Sequence, residues 1–143
     1  MWKYGNKDIT DASQFPDGAF GFVYRITHIP TGKEYIGRKQ ILSNRTLPPL
    51  KGTKRKRKIQ KESDWKTYYG SHEEIKRMIT EGKSEEFQRE ILEFAFSPKH
   101  LTYLETRYLF HFRVLEFQNV FYNNNILGKF FPKDIVKPKL ENR

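Results

Sequence analysis

The chain of 143 residues carries 27 lysines and arginines against 17 aspartates and glutamates, for a formal net charge of +10, and it contains no cysteine. This length suits one compact domain, from residue 1 to 143, and leaves no room for a second sizeable one. The positive charge predicts a polyanionic partner, either nucleic acid or an anionic membrane surface. The lack of cysteine excludes a disulfide framework, a thiolate nucleophile and a cysteine-based zinc site.

Membrane insertion and secretion are not favoured by the sequence. No apolar run approaches the length of a membrane span, and the stretch from Trp2 to Lys7 is polar, unlike a signal peptide. These features predict a soluble protein that stays in the cytoplasm. The four histidines include no His-x3-His pair, so a shared zinc ion is not expected.

Two β-prone runs near the amino terminus predict a hairpin. The runs Phe20 to Thr27 and Glu34 to Arg38 flank a Pro30-Thr31-Gly32-Lys33 turn. The hairpin would place Tyr24 and Tyr35 on neighbouring strands. Alternation of apolar and polar residues along the first run is typical of a half-buried strand, so periodicity alone allows both tyrosines to be simple packing residues.

A basic insert of about residues 46–63 follows the hairpin and is expected to be a loop. Pro48 and Pro49 prevent a long helix there, and no acid interrupts the basic run. Such a run is a solvated surface, a nuclear-localisation signal or a set of contacts to DNA phosphates. Its cations are Lys51, Lys54, Arg55, Lys56, Arg57, Lys58 and Lys61.

The second half of the chain predicts helices around one central strand. A short helical piece follows Asp64, and Ser71 with Glu74 matches a capping box for a helix ending at Gly82. The run from Phe87 to Phe96 is apolar on both faces, as expected of a central strand. Pro98 opens the longest helix at the position where its missing N–H costs nothing. Residues 125–143 are expected to be a tail.

One carboxylate conflicts with its surroundings on this last helix. Glu105 belongs by helical spacing to the apolar stripe that includes Leu101 and Leu109. Removing an ionised carboxylate from water is costly without a cation or hydrogen-bond donors. Glu105 is therefore either paired with a lysine at the edge of the stripe or a ligand for a divalent cation.

The two tyrosine motifs together resemble the signature of a known nuclease family. Phe22-Val23-Tyr24, ten intervening residues and Tyr35-Ile36-Gly37 are similar to the GIY-YIG motif, with Phe22 in place of the first glycine. The stretch from Asp64 to Ser71 resembles phage-encoded, free-standing Seg-like homing endonucleases. The resemblance covers about residues 20–124. It implies an α/β (α+β) fold with a small, mainly antiparallel three-stranded central sheet flanked by helices.

The resemblance also implies a catalytic site. Tyr24 would activate or orient the attacking water, and Tyr35 would help to hold that water or the phosphate. Glu105 would bind Mg²⁺ or Mn²⁺, and Asn123 matches an asparagine that follows the glutamate helix. An arginine expected ten residues beyond the second tyrosine falls on Arg45 and would stabilise the transition state. Arg38 and Lys39 are the alternatives beside the hairpin, and a further site position has Tyr68, Tyr69 and His72 as candidates.

The expected function is accordingly a Mg²⁺-dependent DNA endonuclease, of the phage homing type. Its partner would be double-stranded DNA, contacted by Arg38, Lys39 and the basic run, with a homodimer on DNA as one way to recognise a long site. In a phage-encoded protein the location is the host-cell cytoplasm. The alternative is a non-catalytic nucleic-acid-binding module on the same scaffold, and charge alone allows RNA as the partner. Trp65, Tyr68 and Tyr69 would either stack on bases or pack in the core.

Overall fold

The computed structural model describes residues 1–135, although the side chains of Asn44 and Arg45 lie outside that description. The described chain is an α+β domain. Its strands and helices are β1 (Trp2–Tyr4), β2 (Lys7–Ile9), β3 (Gly21–His28), β4 (Glu34–Gln40), β5 (Leu42–Leu47), β6 (Arg57–Glu62), α1 (Glu73–Thr80), β7 (Phe87–Ala95) and α2 (Pro98–His111).

The main sheet has five strands in the order β2-β1-β7-β3-β4. Strands β7, β3 and β4 form the predicted antiparallel three-stranded sheet, and the predicted hairpin is β3 and β4. Strand β1 adds in parallel to β7, and β2 pairs antiparallel with β1. These two short strands were not predicted, because the first 18 residues are mostly polar. They are stabilised by Trp2 and Ile9, whose side chains are buried in the core.

Strand β7 lies in the interior of the sheet, as predicted, and contains an irregularity that sequence alternation could not show. Val23 pairs with Glu93, but Tyr24 pairs with Ile91, so Leu92 is left out of the register. A β-bulge of this kind shifts the alternation of side chains by one. Ile91 and Phe94 consequently pack in the same core cluster, although simple alternation predicted opposite faces.

The sheet separates two apolar clusters. The first contains Trp2, Phe22, Tyr24 and Trp65. The second is formed mainly where α2 packs on the sheet through Leu101, Leu104 and Leu109, with Val23 and Ile36 from the strands. Phe22, which stands where the family motif has glycine, is completely buried with its ring 5.1 Å from Trp2. Burying such a ring contributes roughly 2–3 kcal/mol, so the change from glycine adds core packing.

The basic insert is a hairpin rather than the expected loop. Strands β5 and β6 pair antiparallel from Leu42 opposite Glu62 to Leu47 opposite Arg57, and they form a separate two-stranded sheet. Every residue of β6 is exposed. Pro48 and Pro49 lie in the connection after β5, where neither interrupts the pairing.

The helix starts show one confirmed prediction and one wrong one. Pro98 begins α2, and the Ser97 side chain accepts a hydrogen bond from the His100 amide. Helix α1 is capped by His72, whose Nδ1 accepts from the Glu74 amide at 3.2 Å, and not by Ser71. Ser71 instead bonds to Tyr35. No helix in residues 1–135 has the length and apolar character needed to cross a membrane.

Candidate active site

Tyr24 and Tyr35 face one another across the β3–β4 hairpin, with ring centroids 6.3 Å apart. Tyr24 is paired in register with Gly37, and its side chain is almost completely buried. A Cβ atom at position 37 would lie 2.4 Å from the Tyr24 hydroxyl oxygen. The glycine of the Tyr35-Ile36-Gly37 motif is therefore required because the phenol of Tyr24 lies directly on its backbone.

Tyr68 completes a cluster of three phenols. Its ring centroid lies 5.9 Å from that of Tyr24 in an edge-to-face arrangement. The Lys39 ammonium lies 4.1 Å from the centroid of the Tyr68 ring and bonds to Asp64 at 2.5 Å. Of the three candidates for the further site position, Tyr68 is thus the one in direct contact with Tyr24.

Burial keeps the central phenol protonated. The pKa of Tyr24 is raised well above 10, first because the side chain is removed from water and then through Tyr68 and Tyr35. Burial also raises the pKa of Tyr35, although its hydrogen bond to the Ser71 hydroxyl at 3.0 Å acts in the opposite direction. Cationic neighbours therefore do not make Tyr24 a phenolate in the free protein.

Glu105 extends from α2 beside the hairpin, with 21% of its side chain exposed. Burial raises its pKa, and the positive charge of Arg38 opposes that shift. The Arg38 Nε atom lies 3.6 Å from the Glu105 carboxylate, and Arg38 also donates to the Thr102 hydroxyl at 2.5 Å. The sequence left a choice between a lysine partner and a cation ligand, and the structure places an arginine from β4 there.

A cleft of about 440 Å³ joins these groups. Tyr35 and Arg38 from β4 line one side, and Glu105 from α2 lines the other. Asn123, in the segment that follows α2, also lines the cleft. The strands and the helix thus bring a phenol, a guanidinium and a carboxylate to one opening in the surface.

Asn123 is buried and holds the backbone of β4 in place. Its Oδ1 atom accepts from the Ile36 amide at 3.0 Å, and its Nδ2 group donates to the Ile36 carbonyl at 2.8 Å. Ile36 lies between Tyr35 and Gly37, so this pair of bonds fixes the strand between the two site positions. The geometry favours a positioning role for Asn123.

Arg45 lies outside the residues whose side chains are described. Its backbone belongs to β5 and pairs with Ile59 in the two-stranded sheet. Arg38 and Lys39 are described cations next to the tyrosines and Glu105.

Arg89 is a supporting residue that sequence reasoning missed. It is buried in β7 and donates to the carbonyls of Lys66 and Tyr68 at 2.9 and 2.8 Å. The guanidinium carbon lies 4.8 Å from the Trp2 ring centroid and 4.1 Å from that of Tyr69. Arg89 thereby fixes the segment that carries Tyr68. The available signal was an arginine inside a strand otherwise suited to burial.

His72 lies at the outer edge of the site. Its ring centroid is 5.8 Å from Tyr35 and 5.3 Å from Tyr122. Burial lowers its pKa, so the imidazole is favoured over the imidazolium. Because Nδ1 caps α1, His72 already has a structural role at the start of that helix.

The residues present fit a single hard cation better than zinc. Among the residues that the structure describes, no group of three or more histidine, aspartate and glutamate side chains is placed to hold a metal ion. Glu105 offers one carboxylate next to open space in the cleft. Magnesium commonly binds through one or two carboxylates with water and phosphate completing its octahedron.

Comparison with known proteins agrees with this geometry. A family model described as "Putative endonuclease segE, GIY-YIG domain" matches residues 2–126. No curated protein matches, and no solved structure matches. The matched region contains the whole main sheet, both helices and every residue that lines the cleft except Leu127. The chain therefore belongs to the GIY-YIG nuclease family, through its similarity to the segE endonuclease domain.

Proposed function

We propose that this protein is a Mg²⁺-dependent endonuclease that hydrolyses phosphodiester bonds of double-stranded DNA. The observation that carries the proposal is the convergence of Tyr35, Arg38 and Glu105 on one cleft, directly beside the Tyr24 phenol. Family membership supports nuclease chemistry, and the net charge of +10 supports a nucleic-acid substrate.

Arg38 is the described guanidinium best placed to contact the phosphate. It lines the cleft, and almost half of its side chain is exposed. A guanidinium can donate to two phosphate oxygens at once and stays charged at any working pH. Arg38 would therefore stabilise the charge that develops on the phosphate during attack, the role that the sequence pattern gave to Arg45.

Tyr24 and Tyr68, whose rings are in contact, would position the attacking water. The buried Tyr24 ring lies against that of Tyr68, and a neutral phenol oxygen keeps its lone pairs as acceptors for a water hydrogen. A neutral phenol can orient water, but it can take a proton only after losing its own. The raised pKa of Tyr24 thus predicts faster cleavage as the pH rises.

Glu105 would hold the metal ion, with Mn²⁺ as a substitute for Mg²⁺. When bound, a divalent cation offsets negative charge on the phosphate and the leaving oxygen. Glu105 must be ionised for this purpose. Arg38 favours the ionised form, whereas burial of the carboxylate opposes it.

The test is cleavage of a supercoiled plasmid by the full chain in Mg²⁺, with EDTA as the metal-free control. Glu105→Ala should abolish cleavage while DNA binding in EDTA remains. Glu81→Ala is the matched control, because Glu81 is an exposed carboxylate at the end of α1. Full cleavage by Glu105→Ala would overturn the assignment of the metal ligand.

The competing function is a binding module without catalysis. It predicts tight DNA binding and intact plasmid under every divalent cation tested. Faster degradation of RNA than of DNA in the same assay would instead identify RNA as the substrate. A phage origin, a homing role, location in the host cytoplasm and dimerisation on DNA stay predictions of the family resemblance.

A further inference from the structure

We propose that the hairpin of β5 and β6, called the basic ribbon below, enters the major groove of duplex DNA and reads base edges there. The inference rests on the proposed function, because it names how the same site selects its substrate. From the sequence, the only DNA contacts expected of this segment were contacts to phosphates. The structure shows that the segment is a two-stranded hairpin. Its two faces carry different side chains, and its base is hydrogen bonded next to the candidate active site.

The basic ribbon is an exposed two-stranded element. Its strands pair with each other and belong to no larger sheet in the described chain. All six residues of β6 are exposed, and Ile59 keeps 40% of its surface in water. An isolated hairpin is only marginally stable in water, so contact with a partner would stabilise this exposed one. The major groove, about 12 Å wide, admits a two-stranded ribbon, whereas the minor groove is about half as wide.

Charge complementarity identifies that partner as DNA. In the connection between the strands and in β6, every charged residue before Glu62 is a lysine or an arginine. The carboxylate of Glu62 accepts a hydrogen bond from the indole of buried Trp65 at 2.7 Å. This acid therefore helps to hold the base of the ribbon. The exposed cations of the segment are Lys51, Lys54, Arg55, Lys56, Arg57, Lys58 and Lys61.

The two faces of the basic ribbon differ in chemistry. Because side chains alternate along a strand, Lys58 and Gln60 share one face, and Thr46 lies opposite Lys58 on that face. The other face carries Ile59 and Lys61, and the pair Leu47 and Arg57. Arg57 is partly committed, since its Nε atom donates to the Pro48 carbonyl at 3.2 Å. The face of Thr46, Lys58 and Gln60 therefore presents the side chains suited to base edges.

The spacing of these side chains matches the DNA. Residues two apart on a strand are separated by about 7 Å, which is about two steps of roughly 3.4 Å along the duplex. Lys suits the acceptors of guanine, and Gln suits the acceptor and donor of adenine. Lys58 and Gln60 would thus read bases about two positions apart.

The base of the basic ribbon is fixed next to the catalytic site. The Ser63 amide and hydroxyl donate to the carbonyls of Ile41 and Gln40 at 2.8 and 2.6 Å. Asp64 binds Lys39, which lies over the Tyr68 ring. A ribbon seated in the groove would therefore set the cut at a fixed distance from the bases it reads.

The test is selection of bound duplexes from a random-sequence library by the full chain in EDTA, followed by competition binding. Lys58→Ala and Gln60→Ala should each lower the preference for the selected site over random duplex by at least about fivefold. Lys61→Ala is the matched control, because it removes the same charge from the opposite face of β6. It should weaken binding to both duplexes alike.

A second probe addresses the groove. Replacing the purines of the selected site by 7-deazapurines removes the N7 acceptors of the major groove, and should reduce the preference of the wild-type protein. Three results would each overturn the inference: no base preference in the wild type, equal loss of preference in Lys58→Ala and Lys61→Ala, or no response to 7-deazapurines. If the protein keeps its base preference in binding but leaves plasmid intact in Mg²⁺, the nuclease function is rejected and the inference about the basic ribbon stands.

Discussion

The cluster of Tyr24, Tyr35 and Tyr68, called the tyrosine site, lies beside the basic ribbon but differs from it in how far its side chains are buried. In the tyrosine site, Tyr24 is 1% exposed and packs against the backbone of Gly37. In the basic ribbon, every residue of β6 is exposed. Close packing means that one added carbon disturbs the first region, whereas an exposed hairpin tolerates substitution without loss of the fold. The comparison indicates that the residues proposed for cleavage are held by core packing. The residues proposed for DNA recognition lie on an exposed hairpin, where substitutions do not disturb the core.

Among the variants that compare the two regions, the largest expected effect is the loss of activity in Tyr24→Phe. Removing the hydroxyl should lower the cleavage rate by about 10²–10⁴ if it takes part in proton transfer, while DNA binding stays unchanged. Single-turnover cleavage of a linear duplex measures this rate. Tyr4→Phe, at the exposed end of β1, is the control and should cut normally. A Tyr24→Phe protein with at least half of the wild-type rate would contradict the water-positioning role.

Removing charge from the basic ribbon should weaken binding to all sequences. Replacing Lys54, Arg55 and Lys56 by serine should lower affinity roughly 10- to 100-fold at low salt, and should reduce the slope of log affinity against log salt by up to about three units. Fluorescence anisotropy at several salt concentrations measures both quantities. The core fold should be unaffected, because these side chains are exposed.

The control for net charge removes three cations elsewhere. Serine at Lys76, Arg77 and Lys83, in and just after α1, changes the total charge by the same amount. A similar fall in affinity for both triple variants would mean that the overall field of the protein, and not the basic ribbon, carries the binding.

Loss of the Asn123 amide should destabilise the core near the active site. Asn123→Ala leaves the buried amide and carbonyl of Ile36 without partners, at a cost of about 2–3 kcal/mol in the free energy of unfolding. Urea unfolding measures this cost. Asn124→Ala is the neighbouring control, and should change stability by less than about 0.5 kcal/mol because Asn124 is exposed.

The smallest expected effect is a gain in stability from Glu105→Gln. Burial raises the pKa of Glu105 in the folded protein, so the charged form at neutral pH lowers stability. Glutamine should therefore raise the free energy of unfolding at pH 7 by about 0.5–1 kcal/mol. The gain should vanish below the ordinary glutamate pKa of about 4.3, where both proteins are neutral at this position. A destabilised Glu105→Gln protein at pH 7 would show instead that the ion pair with Arg38 outweighs burial.

The hairpin, the central strand and the helix from Pro98 were predictable because each has a local signal. Tyrosine and isoleucine runs around a Pro-Thr-Gly turn specify a hairpin, and Ser97 followed by Pro98 specifies a helix start. The amino-terminal strands had no such signal. They exist because Trp2 enters the first core cluster and its indole donates to the Trp65 carbonyl at 2.7 Å, across 63 residues.

The sequence by itself determined the family, the two tyrosines and an acidic residue on an apolar helix face, because motif spacing and helical periodicity are properties of neighbouring residues. Only the tertiary structure decided which groups meet. Arg38 and not a lysine approaches Glu105, the Tyr68 ring packs edge-to-face on Tyr24, and the basic run is a ribbon fixed beside them. These contacts join residues far apart in the chain, and they depend on strand register and packing, which no local pattern specifies.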